Sequence, residues 1–242
     1  MRITLNLELK KNVMSIEYRR EILSFIKASL TNYKNGEYFD KFYKENKPLM
    51  KPFSFAVMLS GAKFQANQID INTNSIKVVF STNDTLTANI FYNAFCQMQF
   101  KEYPLANENT MQLKEVCVDN IFITQDEIKI KFLSPLCVRS HNKETNKDFY
   151  LSYGKSGFEE TLKQIIRVQL KEESLPEKLI EGFAIEGISA KKTVIKHFNL
   201  TIETTIGMFI LKGNPLLLNF LYHGGIGSRK SSGCGLFELI VK

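Results

Sequence analysis

Gly224-Gly225-Ile226-Gly227-Ser228-Arg229-Lys230-Ser231-Ser232-Gly233-Cys234-Gly235 holds five of the chain's 13 glycines. Before it, Asn214-Pro215 joins a capping asparagine to a proline at the first helical position, predicting a short helix over Leu216 to Tyr222 that ends at Gly224. After it, Leu236 to Val241 reads as a strand. The order is helix, glycine loop, strand. A dinucleotide-binding fingerprint runs strand, loop, helix, and Lys230 would replace its third glycine. A Walker loop needs glycine directly before Lys-Ser, whereas Arg229 precedes Lys230-Ser231. Both nucleotide folds are disfavoured. What remains is a flexible glycine stretch around a basic, serine-rich centre. Glycine lets backbone amides approach an anion, Arg and Lys add charge, and serines add donors. Gly225, Gly227, Ser228, Arg229, Lys230, Ser231, Ser232, Gly233 and Gly235 are therefore candidates for binding a polyanion. A surface loop with solvated charges is the alternative; two Gly-x-Gly pairs around the basic centre favour the first.

The rest of the chain falls into a repeated order of elements. Ile3, Leu5, Leu7 and Leu9 alternate with polar Thr4, Asn6 and Glu8, the period of two of a half-buried strand. A helix is expected from a Ser15 cap to about Thr31, with Ile22, Leu23, Phe25, Ile26 and Leu30 inward. Residues 32–52 read as polar and irregular. Pro52 to Val57 and Ile76 to Phe80 read as strands. A second helix runs from the Asn83/Asp84 cap to Phe100, with Leu86, Ile90, Ala94, Phe95 and Met98 inward, and Met111 to Val118 closes the unit. Glu127 to Leu133 begins again as a strand. Ser156-x-x-Glu159 reads as a capping box opening a helix to about Lys171, with Phe158, Leu162, Ile165 and Ile166 inward. Phe183 to Leu211 holds two strand-like runs around a basic tip, Lys191-Lys192. The fold class is α+β: two tandem ferredoxin-like (RRM-like) βαββαβ units, residues 1–119 and residues 120–242, the second carrying the glycine-rich loop 224–235. The repeat is one of element order, without obvious sequence identity.

Composition narrows the function classes. The 242 residues carry 32 Lys+Arg against 25 Asp+Glu, a formal charge of +7, which favours a polyanionic partner. With 44% hydrophobic and 24% charged residues, disorder along the whole chain is excluded. Cys96, Cys117, Cys137 and Cys234 form no Cys-x-x-Cys pair, which excludes a zinc ribbon or thioredoxin motif. No run of about 18 apolar residues exists and the chain opens on a strand pattern, so the expectation is a cytoplasmic protein with no membrane partner.

With these features in place, the chain resembles the CRISPR repeat-processing endoribonucleases of the repeat-associated mysterious protein superfamily. The loop Gly225 to Glu238 carries the resemblance, with weaker support from Lys51-Pro52-Phe53-Ser54-Phe55 and Ser134-Pro135-Leu136. The resemblance implies a protein that binds CRISPR repeat RNA, often beside a small hairpin, and cuts it without metal or other cofactor. The ribose 2′-hydroxyl attacks the scissile phosphate and expels the 5′-oxygen, leaving a 2′,3′-cyclic phosphate and a 5′-hydroxyl. It also implies a monomer or homodimer, and other subunits of a CRISPR effector complex as further partners.

The sequence departs from that family in one place. Members often carry a catalytic histidine between the first helix and the second strand, but residues 31–52 contain none. Tyr33, Tyr38 and Tyr43 stand there instead, with Lys34, Lys41, Lys44, Lys47 and Lys51, and Tyr43 falls about where the histidine is expected. Tyrosine and lysine ionise near 10, so neither is a good base at neutral pH unless perturbed. Either can orient the attacking hydroxyl or protonate the leaving oxygen, and a lysine can stabilise the phosphorane. Tyr43, Lys27, Tyr38 and Lys51 are the candidate catalytic residues; the alternatives are a solvated helix lysine and tyrosines that pack a loop. Lys191, Lys192 and His141 are candidate RNA contacts, or ordinary exposed polar groups. His197 reads as structural. His223, at a helix end, faces either the helix dipole or a phosphate. Two other functions remain open: a non-catalytic repeat-RNA-binding subunit, and an unrelated ferredoxin-like enzyme acting on a phosphorylated metabolite.

Overall fold

In the computed structural model, residues 1–44, 50–142, 144–197 and 200–240 are described. They form two compact units, Met1–Asn120 and Ile121–Lys242. Lys47, Lys143 and Val241 lie outside the described residues.

The first unit runs β1 (Arg2–Leu9), β2 (Val13–Ser15), α1 (Tyr18–Asn32), α2 (Glu37–Tyr43), β3 (Phe53–Leu59), β4 (Lys63–Phe64), β5 (Gln68–Asp70), β6 (Ser75–Thr82), α3 (Thr85–Met98), β7 (Glu102–Leu105) and β8 (Asn109–Asp119). The main sheet is antiparallel in the order β3-β6-β1-β8-β7. Leaving out the edge strand β7, that is the 2-3-1-4 arrangement of a ferredoxin-like unit. The period-two pattern of β1 buries Ile3, Leu5, Leu7 and Leu9 in one core with Ile22, Phe25, Ile26 and Leu30 of α1 and with Ile90, Phe91 and Phe95 of α3. Phe80 and Phe91 approach to 4.5 Å between ring centroids. Each large side chain so buried contributes on the order of 1.5–3 kcal/mol of transfer free energy.

Three local expectations change here. Ser15 ends β2 rather than capping α1; its hydroxyl accepts from the Glu17 amide, and the helix starts at Tyr18. Residues 32–52 are not irregular throughout, because α2 lies within them. Its Phe42 ring packs on Phe91 at 5.4 Å, a tertiary contact that a short helix needs. Leu86 is exposed; Ala88 and Phe91 take its inward place. Asp84 caps α3 as expected, accepting from the Thr87 amide.

The second unit runs β9 (Glu127–Phe132), β10 (Val138–Asn142), β11 (Lys147–Leu151), α4 (Phe158–Glu172), β12 (Ala184–Gly187), β13 (Lys191–His197), β14 (Leu200–Ile206), β15 (Met208–Lys212), α5 (Pro215–Gly224) and β16 (Phe237–Leu239). Its sheet order β12-β15-β9-β16 repeats the 2-3-1-4 arrangement. The unit is elaborated by two hairpins, β10–β11 and β13–β14. Asn214 caps α5 through the Leu216 amide, with Pro215 at the first helical position. The Ser156 capping box is absent: Gly157, at φ +81, turns the chain, and α4 starts at Phe158 without a side-chain cap. Lys191-Lys192 is not a hairpin tip either. Both residues sit at the start of β13, paired with Ile206 and Thr205, at the end of the ladder opposite the His197–Leu200 pair. Lys192 Nζ is held at 2.6 Å by Glu203.

Candidate functional site

In the first unit, the fold brings three of the four candidate catalytic residues together. Lys27 comes from the polar face of α1, Tyr43 from the end of α2, and Lys51 from the entry to β3. The two ammonium groups lie over the same Tyr43 ring, at 4.9 Å for Lys27 and 4.7 Å for Lys51. Burial, reinforced by the charge of Lys27, pushes the Lys51 ammonium below the usual lysine range. Burial alone pushes the Tyr43 phenol far above its ordinary value, and its hydroxyl is buried without a hydrogen-bond partner among the described residues. Tyr43 is thus an apolar platform beneath two cations, the opposite of an activated base. Tyr38 belongs to a different stack: its ring lies 5.8 Å from Tyr33, with Lys34 over both rings at 5.7 and 5.8 Å.

In the second unit, the glycine-rich loop is packed rather than flexible. Its seat is the segment Ser134 to Cys137. Gly235 N donates to Pro135 O at 2.9 Å, Ser228 N to Cys137 O at 2.7 Å, and Leu236 N to Ser134 Oγ at 2.9 Å. Across the loop, Ile226 N donates to Gly235 O at 2.9 Å. Two glycines are dictated by this geometry. At Gly235, φ is +75 and an added Cβ would fall 1.9 Å from Ile226 O; at Gly227, φ is +92 and the Cβ would fall 2.6 Å from Cys137 O.

The basic pair at the loop's centre divides. Arg229 adopts the left-handed conformation, and Nη2 reaches Tyr150 Oη at 3.1 Å and Asp148 Oδ2 at 3.4 Å. Lys230, expected to add charge at the loop surface, instead turns inward at the start of a 3-10 turn and is only 7% exposed. Burial lowers its pKa to about 8, against the opposing attraction of Glu173. Ser228, Ser231 and Ser232 remain partly exposed beside it.

His141 reaches the same carboxylate as Arg229. His141 Nδ1 lies 2.9 Å from Asp148 Oδ1, and Arg139 Nη1 lies 3.1 Å from Oδ2. Burial pushes the Asp148 carboxyl up, but hydrogen bonds from His141 and Arg139 and the charges of Arg139 and Arg229 hold it below the usual range. Asp148, Arg139 and Tyr150 were not legible as site residues, because only the hairpin register sets His141 opposite Asp148 and Arg139 opposite Tyr150. His223 Nε2 lies 3.0 Å from Ile121 O, a carbonyl, so that nitrogen donates there. Lys191 and Lys192 lie in β13, as described above.

Tandem ferredoxin-like units with a glycine-rich loop before the last strand define the repeat-associated CRISPR protein class. A profile of the family described as CRISPR associated protein Cas6, C-terminal, matches residues 113–239, more than half of the chain. The chain belongs to the Cas6 family. Among solved structures, the product of a Cas6-related gene from Pyrococcus furiosus superposes with a TM-score of 0.85 at 19% identity, covering 100% of this chain and 99% of that one. A structure described as a RAMP protein binding different RNA substrates gives 0.84 at 19% identity, covering 100% of both chains. A Cas6 product complex gives 0.71 at 15%, covering 99% of both. These likenesses establish the fold. No curated protein matches the sequence.

Proposed function

We propose that the protein is a metal-independent endoribonuclease that cuts CRISPR precursor transcripts within the repeat. Family membership points to the processing or binding of CRISPR repeat RNA. The observation that carries catalysis is the pair of ammonium groups over Tyr43. The phosphate of an RNA backbone placed between them would meet two cations in a partly desolvated setting, where developing negative charge is stabilised strongly.

The chemistry assigns the groups. The 2′-oxygen forms a bond to phosphorus as its proton leaves to solvent, and the bond from phosphorus to the 5′-oxygen breaks. Lys51, whose proton is loosened by burial and by Lys27, protonates the departing 5′-oxygen. Lys27 balances the charge on the phosphorane oxygens. Tyr43 supports both lysines and exchanges no proton. Tyr38, on its own stack, is a contact for RNA rather than a reacting group. Arg229, His141 and the loop serines bind RNA backbone, and a hairpin repeat is the preferred form.

Incubation with the cognate repeat RNA in EDTA under single-turnover conditions should yield a 2′,3′-cyclic phosphate. A 2′-deoxy substitution at the cut should abolish it, and Lys51→Ala should slow it about 10²-fold or more. No cutting of the cognate repeat would remove the catalytic reading. The absence of histidine from residues 31–52 favours one second reading, a non-catalytic repeat-RNA-binding subunit, which predicts tight binding without any product.

A further inference from the structure

Four donors converge on the carboxylate of Asp148. They are Arg139 Nη1 at 3.1 Å, His141 Nδ1 at 2.9 Å, Tyr150 Oη at 3.4 Å and Arg229 Nη2 at 3.4 Å. The hairpin explains three of them. Asp148 and Tyr150 are two apart on β11, so their side chains share a face. The register sets His141 and Arg139 across from them on that face. The fourth comes from elsewhere in the chain, because the left-handed turn at Arg229 aims its guanidinium at the same carboxylate.

The charges do not cancel. Two guanidiniums and an imidazole surround one carboxylate. Each guanidinium carries five N–H groups in a rigid fork, and the two together offer more than Asp148 and Tyr150 can accept. Arg229 Nε is buried without a hydrogen-bond partner among the described residues. The side chains of Arg139, His141 and Arg229 remain 38%, 41% and 31% exposed, so a ligand can reach them. A fixed pair of guanidinium forks beside partly exposed serines suits an oxyanion with several acceptor oxygens.

We propose that Asp148 is a positioning residue that holds Arg139, His141 and Arg229 in one arrangement as a subsite for an RNA phosphodiester. It pins the glycine-rich loop to the β10–β11 hairpin through Arg229. It also removes the freedom that the two arginines would otherwise lose on binding. The subsite rests on the RNA reading above.

Asp148→Asn separates this role from that of a bystander charge by the sign of its effect. A bystander carboxylate repels a polyanion, so its removal would tighten binding and steepen the salt dependence. A positioning carboxylate gives the reverse: affinity for a labelled cognate repeat RNA falls about tenfold, since two long side chains must then be ordered on binding. The slope of log affinity against log salt becomes no steeper, and Asp148→Glu recovers part of the loss. Equal or tighter binding by Asp148→Asn overturns the proposal. If wild-type protein shows no salt-dependent binding, the RNA reading itself has failed, a distinct result. Should Asp148→Asn melt well below wild type, Arg139→Gln decides. The subsite predicts weaker binding and a slope shallower by about 0.7–0.9; unchanged affinity and slope overturn it.

Discussion

Replacing Lys230 with methionine should stabilise the protein at neutral pH, and the gain should fade in base. Lys230 is 7% exposed, and burial holds its pKa at about 8 in the folded chain, against an ordinary value of 10.5. At pH 7 the ammonium is charged in both states, so folding bears the full cost of that lowered value, about 3 kcal/mol. Between pH 8 and 10.5 the unfolded chain binds the proton more tightly than the folded one, so stability from this group rises with pH. By pH 10 the penalty has shrunk to under ~1 kcal/mol. Methionine has similar length and no charge, and it fills the same space. Chemical denaturation of wild type and Lys230→Met at pH 7 and pH 10 measures the difference directly. The variant should be more stable by up to about 3 kcal/mol at pH 7, with most of the gain gone at pH 10. A variant less stable at pH 7, or an equal gain at both pH values, would refute a buried, penalised ammonium.

Tyr43→Phe should leave single-turnover cleavage within about twofold and raise stability by about 1 kcal/mol, because it removes a buried hydroxyl that has no partner among the described residues; a large loss of rate would restore a proton-transfer role to the phenol. Gly235→Ala places a Cβ against Ile226 O at positive φ, so it should cost at least about 3 kcal/mol in a thermal melt. Glu203 is held at a pKa of about 2, chiefly by the hydrogen bonds from Lys155 and Lys192. Its contribution to stability is present above the ordinary glutamate range and is lost as pH falls from about 4.5 toward 2, so Glu203→Gln should lower the melting temperature at pH 7 and converge with wild type in acid.

Much of the fold was legible wherever one local signal agreed with burial. The strict alternation of β1, the Asp84 cap and the Asn214-Pro215 start of α5 each encode their element without help from distant residues. α2 has no such signal: seven residues, dense in aromatics, hold as a helix because Phe42 meets Phe91 across the unit. The basic tip at Lys191-Lys192 was misplaced: both residues stand in strand register opposite Ile206 and Thr205, and lysines alone do not mark a tip. Lys27, Tyr43 and Lys51 were legible as chemistry, and the fold does place them together. Their roles were not, since burial silences the phenol and loosens a lysine. Arg229 and Lys230 are indistinguishable as adjacent basic residues, yet one left-handed turn sends the first to Asp148 and the second into the interior.

The packed state of the glycine-rich loop bears on the kinetics of encounter. The amides of Ile226, Ser228, Gly233 and Gly235 are already donated to carbonyls within the unit. They should exchange with solvent slowly in the free protein and change little when RNA arrives. Binding then waits on no loop-ordering step, and the association rate is set by diffusion and by the long-range pull of a +7 chain on a polyanion.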